Sequence, residues 1–238
     1  MNSNTSRVIL VTGDRKGIGR YLSEHLLRQG YNVVGCSRSP ADWQAERYTH
    51  YQADVTSEDQ ITRLFRDIRK QHKRLDAVIN NAGFASMNHA LLTPMDTVQR
   101  IVDTNLVGTF LVCREAAKLM RKHKFGRIIN FGSAAVPLRL GGEAAYIASK
   151  TAIVSLSQVL AHELAEFGIT INIVGPSPTE TDMIRGVPKD NIDNLVNMLP
   201  IKRLTKFEDI ANVVDFFLRE ESSMITGQVI YLAGAPNL

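Results

Sequence analysis

Apolar β-branched runs alternate with helix-period segments along nearly the whole chain, and this alternation limits the fold more than any other feature. Val8-Ile9-Leu10-Val11 reads as a first strand. Helical spacing follows from Gly17 to Arg28, with Leu22, Leu26 and Leu27 on one face and Gly30 as the stop. Further strands are expected at Asn32–Cys36, Tyr48–Ala53, Asp76–Asn80, Arg127–Phe131, Thr170–Val174 and Gln228–Leu232. Helices are expected from Ser57, where Ile61, Leu64, Phe65 and Ile68 share a face, and over Thr104–Lys122, Ala144–Glu166 and Phe207–Arg219. Strands alternating with helices predict an α/β protein with one doubly wound parallel sheet of about seven strands and helices on both faces. Most of the strands are apolar throughout, as strands covered on both sides are.

The 238 residues fit one α/β domain spanning 1–238. The stretch 177–200 breaks the rhythm with Pro, Asp and Asn, and reads as a substrate lid inserted over the C-terminal edge of the sheet. Two cysteines, Cys36 and Cys113, give neither a disulfide framework nor a metal spacing, and His162-Glu163 lacks a second ligand at metal spacing. No metal is expected. The first residues lack the apolar core of a signal peptide, and no apolar run is expected to reach bilayer length, so the default location is cytoplasmic. The net charge of +4 is small. Its densest cluster, Arg121-Lys122-His123-Lys124, suits a helix C-terminus and has no interleaved aromatics, which argues against nucleic acid as a partner.

The first strand runs directly into Thr12-Gly13-Asp14-Arg15-Lys16-Gly17-Ile18-Gly19 and then a helix. Glycines there let backbone approach a pyrophosphate, and the helix start presents unpaired N–H groups to it. Cations are disfavoured at a helix N-terminus, so Arg15 and Lys16 either face a bound anion or point into water. At the end of the second strand, where an acid would hold a ribose 2′-hydroxyl, the chain has Ser37 and Arg38. An arginine there suits a 2′-phosphate, which favours NADP(H) over NAD(H), with Arg38 and Arg15 flanking the phosphate.

A trio of residues completes the pattern. Tyr146 and Lys150 are one helical turn apart, so phenol and ammonium share a face, and Ser133 follows the preceding strand. A nearby cation favours phenolate and brings tyrosine toward neutral acid–base work. The pair alone is equally a solvated surface contact.

With these pieces in order, the chain resembles the short-chain dehydrogenase/reductase family over almost its whole length. Thr12 to Gly19 matches the glycine motif, Asp54-Val55 the adenine-contacting acid, Asn80-Asn81-Ala82-Gly83 the N-N-A-G motif, and Asn105, Ser133, Tyr146 and Lys150 the catalytic tetrad. Gly141 to Lys150, Glu180 to Met183 and Ile225 to Ile230 are most similar to its 3-oxoacyl-carrier-protein reductase branch. The chain departs from the pattern at Pro176-Ser177-Pro178, at Leu232-Ala233-Gly234-Ala235, and in a connection from second to third strand too short for the usual helix.

The resemblance implies a Rossmann-type fold and an NADP(H)-dependent oxidoreductase acting on a carbonyl or secondary alcohol, foremost a ketoreductase of a 3-oxoacyl-type or similar apolar ketone, free or carrier-bound. A dehydrogenase of another secondary alcohol and a non-catalytic NADP-binding regulator stay open. Tyr146 is the implied proton donor, Ser133 polarises the carbonyl, Lys150 lowers the phenol's pKa and holds nicotinamide ribose, and Asn105 anchors a water. Implied cofactor contacts are Gly13, Arg15, Lys16, Gly17, Ile18, Gly19, Ser37, Arg38, Asp54, Val55, Asn81, Ala82, Gly83, Tyr146, Lys150, Pro176, Thr179 and Thr181. The substrate pocket is expected to draw on Phe84, Ala134, Ala135, Val136, Leu138, Met183, Ile184, Val187, Leu195 and Met198, with Arg139 and Arg185 near an acidic group or in solvent. The two long helices are expected to pack between subunits, as a homotetramer or homodimer, with no membrane partner.

Overall fold

Alternate residues of the central strands bury opposite faces, which is why those strands carry unbroken apolar runs. In the computed structural model, which describes residues 7–179 and 189–234, β1 (Val8–Thr12), β2 (Asn32–Ser37), β3 (Tyr48–Gln52), β4 (Ala77–Asn80), β5 (Gly126–Phe131), β6 (Ile169–Gly175) and β7 (Val229–Tyr231) form one parallel sheet. Its order is β3-β2-β1-β4-β5-β6-β7. The register places Leu10 between Val34 and Val78, so the middle of β1 is apolar on both sides.

Each face packs its own helices. Val8, Leu10, Val34, Val78 and Ile128 meet Ile61, Leu64, Phe65 and Ile68 of α2 (Glu58–His72), with Val112 and Ala116 of α4 (Gly108–Met120). Ile9, Val11, Val33, Ile79 and Ile129 meet Leu22, Leu26 and Leu27 of α1 (Gly17–Arg28), with Ile210, Val214 and Phe217 of α8 (Phe207–Leu218). The spacings that identify these helices in the sequence are the ones that bury them.

Four differences from the sequence expectation have physical causes. The long helix begins earlier than Thr104: α3 (Met95–Val102) continues through a π-wound stretch, Asp103–Val107, into α4. The π turn turns the Asn105 side chain inward, where it is fully buried. Within 177–200 a helix, α7 (Lys189–Met198), occupies the end of the expected lid. A single turn, α5 (Ala135–Leu138), follows β5. Finally, the helix over Ala144–Phe167 has the length and hydropathy of a bilayer span, 24 residues and mean hydropathy 1.2, where none was expected. It begins as α6 (Ala144–Leu164) and lies along the sheet, burying Ser149, Lys150, Ile153, Ser157 and Ala161.

The β2–β3 connection is short and holds no helix, as the sequence suggests. Its place is taken by Trp43, stacked on Tyr48 with centroids 3.8 Å apart and Arg20 over the indole. Beneath this stack lies Asp14, fully buried, accepting the Tyr48 hydroxyl and lying 2.9 Å from His50 Nδ1. The carboxylate reaches β3 only by crossing Gly35, where a Cβ would collide with Asp14 Oδ2.

Gly35→Ala should therefore cost about 1–3 kcal/mol of unfolding free energy, the usual penalty for overfilling a packed interior. Urea denaturation of the double-mutant cycle with Asp14→Ala locates the clash. If the Gly35→Ala cost is the same with and without the Asp14 carboxylate, the collision is not its cause.

Candidate active site

The strand order reverses between β1 and β4, so their outgoing connections diverge and leave a crevice at the C-terminal ends of the strands. A cleft of about 660 Å³ lies there, within the size that holds a cofactor and substrate. The two diverging segments are tied together at its floor. Asn81 Nδ2 donates to the carbonyls of Thr12 (3.0 Å) and Gly13 (3.3 Å), and Ala82 N donates to Thr12 Oγ1 (3.0 Å). Asn81 is thus a staple for the glycine turn as well as a wall of the cleft.

One end of the cleft is glycine-rich and cationic. Gly13 and Gly17 adopt φ of +72° and +57°, and both line the cleft with Ile18. Gly19 sits behind the turn and off the cleft wall; a Cβ there would overlap the Gly13 carbonyl, so its absence lets the turn close. Arg15, Lys16, Ser37 and Arg38 line the same end. Ser37 Oγ donates to the Ser39 carbonyl, and Gln52 Nε2 donates to that of Arg38, which fixes the path of this segment. Asp54 and Val55 lie alongside, Asp54 also capping the next turn through the Thr56 N–H at 2.9 Å. A backbone kept clear by missing Cβ atoms, beside three basic side chains, could hold the phosphates of a dinucleotide.

The other end carries the trio. α6 presents Tyr146 and Lys150, β5 leads to Ser133, and all three line the cleft. Lys150 Nζ is buried, donates to the Phe131 carbonyl at 2.7 Å, and stands 5.9 Å from the centre of the Tyr146 ring. Asn105 is not on the cleft wall. Its Nδ2 donates to the Phe84 carbonyl and Ser149 Oγ, each at 3.0 Å, and its Oδ1 accepts from Phe84 N at 2.8 Å. Its side chain locks the loop after β4 to α6. Gly83, on the wall, lies against Asn105 and Lys150.

Burial sets the proton affinities. Desolvation pushes the Tyr146 phenol up to about 12; the Ser133 hydrogen bond pulls it down and the Glu143 charge pushes it up again. Desolvation lowers Lys150 to about 8. The sequence expectation of a phenol depressed by Lys150 is corrected: in the protein alone, loss of water holds the phenol above its ordinary value, and Ser133 is what pulls it down.

The atypical Pro176-Ser177-Pro178 segment has a defined path. The Pro176 carbonyl accepts from Ala134 N at 2.9 Å, and that of Pro178 from Thr205 N at 2.9 Å. The buried Ser177 and Thr205 hydroxyls are hydrogen-bonded, and Thr179 Oγ1 donates to the Ser177 carbonyl at 2.9 Å. Pro176, Ser177, Pro178 and Thr179 all line the cleft. Of the expected substrate residues, Phe84, Ala135, Leu138 and Leu195 line it, whereas Ala134, Val136, Arg139 and Met198 do not. Thr181, Met183, Ile184, Arg185 and Val187 lie outside the described residues. Met87, Leu140, Ile192 and Glu143 are lining residues that sequence reasoning passed over. Glu143 had a signal, three residues before Tyr146 and so on its helical face. Among the described residues no cluster of three His, Cys, Asp or Glu side chains is placed to hold a metal.

Comparison with known proteins places this geometry. Residues 13–234 match the family model described as Enoyl-(Acyl carrier protein) reductase. The chain is 32% identical over 234 residues to the 3-oxoacyl-acyl-carrier-protein reductase of Escherichia coli, covering 96% of each protein. It is 29% identical over 229 residues to that of Mycobacterium tuberculosis, covering 96% of this chain and 92% of the relative. Among solved structures, ligand-free aldohexose dehydrogenase of Thermoplasma acidophilum superimposes with a TM-score of 0.87 at 28% identity, over 95% of this chain and 92% of that one.

The lowered Lys150 gives a stability signature. Its folded pKa is about 8 against an ordinary 10.5, so between those values the unfolded chain binds a proton that the folded protein does not. Stability therefore rises with pH across that window and is flat in this term below it. Relative to Lys150→Met, the wild type should gain roughly 3 kcal/mol from pH 8 to pH 10.5, measured by denaturant unfolding. Parallel stability curves for the two proteins would contradict a desolvated lysine.

Proposed function

The chain belongs to the short-chain dehydrogenase/reductase family, and from that premise we propose that this oxidoreductase acting on CH–OH groups is an NADPH-dependent ketoreductase of 3-oxoacyl-type or similar apolar ketones. The observation that carries the reading is the meeting, in one cleft, of Tyr146, Ser133 and Lys150 with a glycine turn flanked by Arg15, Lys16 and Arg38. The apolar lining by Phe84, Met87, Leu138, Leu140, Ile192 and Leu195 favours a ketone or acyl chain over a free sugar. The two 3-oxoacyl reductases among the relatives support the same substrate class.

The cofactor supplies the hydride, and the protein supplies position and field. Arg38, Arg15 and Lys16 hold the 2′-phosphate end through charge-assisted contacts. Gly13, Gly17, Ile18, Asn81, Ala82, Gly83, Pro176 and Thr179 wall the rest of that site, and Asp54 and Val55 the adenine end. Ser133 hydrogen-bonds the substrate oxygen and polarises the carbonyl. Tyr146, with its phenol raised to about 12, is protonated at neutral pH and so holds the proton that the forming alkoxide takes. Lys150, at about 8, is mostly cationic there and stabilises the phenolate left behind. Asn105 acts by position, fixing the Phe84 loop and α6 against each other. α7 serves as a lid over the substrate end, with Ile192 and Leu195 as its inner side.

The outer faces of α4 and α6 supply a subunit interface, as a homotetramer or homodimer. Phe110 on α4 and Val159 on α6 are 40% and 53% exposed there, and Val107 just before α4 is 40% exposed. Light scattering after size exclusion should give a mass of two or four chains; a monomer would exclude this role for the face.

NADPH oxidation with a 3-oxoacyl thioester tests the activity. Tyr146→Phe should abolish turnover while NADPH still binds; full turnover in that variant refutes the proton-donor role. Arg38→Ala should weaken NADPH binding by roughly 10- to 100-fold, the worth of a lost charged hydrogen bond, and leave NADH binding nearly unchanged. Equal losses for both cofactors would remove the 2′-phosphate assignment.

A further inference from the structure

The charges lining the cleft are segregated. Arg15, Lys16, Arg38 and the carboxylate of Asp54 stand at the glycine end, and Lys150 at the centre. Among the described residues, the lining at the substrate end is apolar or neutral except for Glu143. This residue occupies the N-cap position of α6, yet its side chain makes no capping hydrogen bond. Its side chain is half-buried and forms no hydrogen bond or ion pair with any described residue, while its backbone carbonyl accepts from Ile147 N at 2.8 Å. Its charge is felt by the Tyr146 phenol, so it stands beside the reacting position. Partial burial in the cleft wall disfavours the charged form and raises the pKa of this carboxylate, which has no protein donor to offset it. Such a group is satisfied when a ligand brings the donor.

We propose that Glu143 is a specificity-determining residue that accepts a hydrogen bond from a donor group of the substrate close to the reacting carbonyl, and that it rejects substrates with a carboxylate at that place. The favoured class is a neutral ketone flanked by an N–H or O–H donor, such as a 3-oxo amide or a thioester whose carrier arm offers an amide N–H. Free 3-oxo acids are the disfavoured class. This rests on the ketoreductase reading above and sharpens it, because apolar lining alone would not separate an amide from an ester or an acid of the same skeleton. The Glu143 carboxylate separates all three by charge and by donor count: the amide donates, the ester does not, and the acid repels.

The test uses 3-oxobutanamide, methyl 3-oxobutanoate and 3-oxobutanoate with NADPH at pH 7, reading kcat/KM for the wild type, Glu143→Gln and Glu143→Ala. The wild type should prefer the amide to the acid by on the order of 10- to 100-fold, with the ester between them. Glu143→Gln keeps the size and removes the charge, and should shrink the amide-to-acid ratio by at least about tenfold, mainly by improving the acid. Ratios within one protein do not depend on the fraction folded, and the wild-type ratio stands without any variant. Equal efficiencies for amide and acid in the wild type, or the same ratio in wild type and both variants, would overturn the proposal. If the wild type reduces none of the three, the ester included, the ketoreductase reading itself fails, since the ester makes no demand on Glu143.

Discussion

The site depends on a small set of hydrogen bonds at the point where the sheet changes direction. β1 and β4 are neighbours, but their chains leave toward opposite sides, and something must hold the two strand ends while the space above them stays empty. The Asn81 amide does this by donating to two carbonyls of the glycine turn, while Ala82 N engages the Thr12 hydroxyl. Side-chain-to-backbone bonds allow this without a bulky apolar contact filling the crevice. Gly19 completes the arrangement from behind, where any side chain would push the turn outward into the cleft. The cleft is therefore a consequence of topology plus a few polar ties, not a gap left by loose packing.

From that point the polar ties extend outward in two buried chains. Asn80 Nδ2 donates to Asn130 Oδ1 at 2.8 Å, and Asn130 Nδ2 to Ser157 Oγ at 2.8 Å, so β4, β5 and α6 are joined beneath the trio. Asn105 joins the Phe84 loop to Ser149 on the same helix. Between them these contacts fix both the height and the rotation of α6 on the sheet, and hence where Tyr146 and Lys150 emerge. A helix with so much apolar surface facing away from the sheet would slide if packing were its only restraint. Directional hydrogen bonds from two sides remove that freedom.

What the sequence made legible follows from periodicity. Every strand expected from an apolar run is present, because a strand buried on both faces has to be apolar throughout. α1, α2 and α8 are equally legible, each having one buried stripe. The π-wound stretch at Asp103–Val107 was not, since the bonds that accompany it join Asn105 to Phe84 and Ser149, distant in sequence. α3 was hidden because only Ile101 of its eight residues is buried, too little for a stripe. The Asp14 network was invisible for the opposite reason. Nothing near Asp14 in sequence announces that a carboxylate will cross Gly35 to reach Tyr48 and His50 on β3. Of the candidate site, spacing put Tyr146 and Lys150 on one helical face, and only the family resemblance singled them out together with Ser133, whereas Glu143 was quoted in a motif and passed over. Its meaning comes from what surrounds it, and its surroundings are assembled by the fold.

The proton affinities show why spacing alone gives an incomplete account of a site. Helical geometry puts Tyr146 and Lys150 on one face, and simple Coulomb reasoning then makes each favour the charged form of the other. The fold reverses both expectations, raising the phenol to about 12 and lowering the ammonium to about 8. Both shifts have one first cause, loss of water, which penalises the charged form whatever its sign. The outcome suits reduction. Under the proposed reduction, the phenol would keep its proton at neutral pH until an oxygen of growing negative charge took it, and the lysine would be close enough to its pKa to respond when that charge moved. Glu143 works in the same direction, since a carboxylate beside the phenol also favours the protonated form. Burial and one carboxylate thus favour the protonated phenol, and the Ser133 hydroxyl is the one contact pulling the other way.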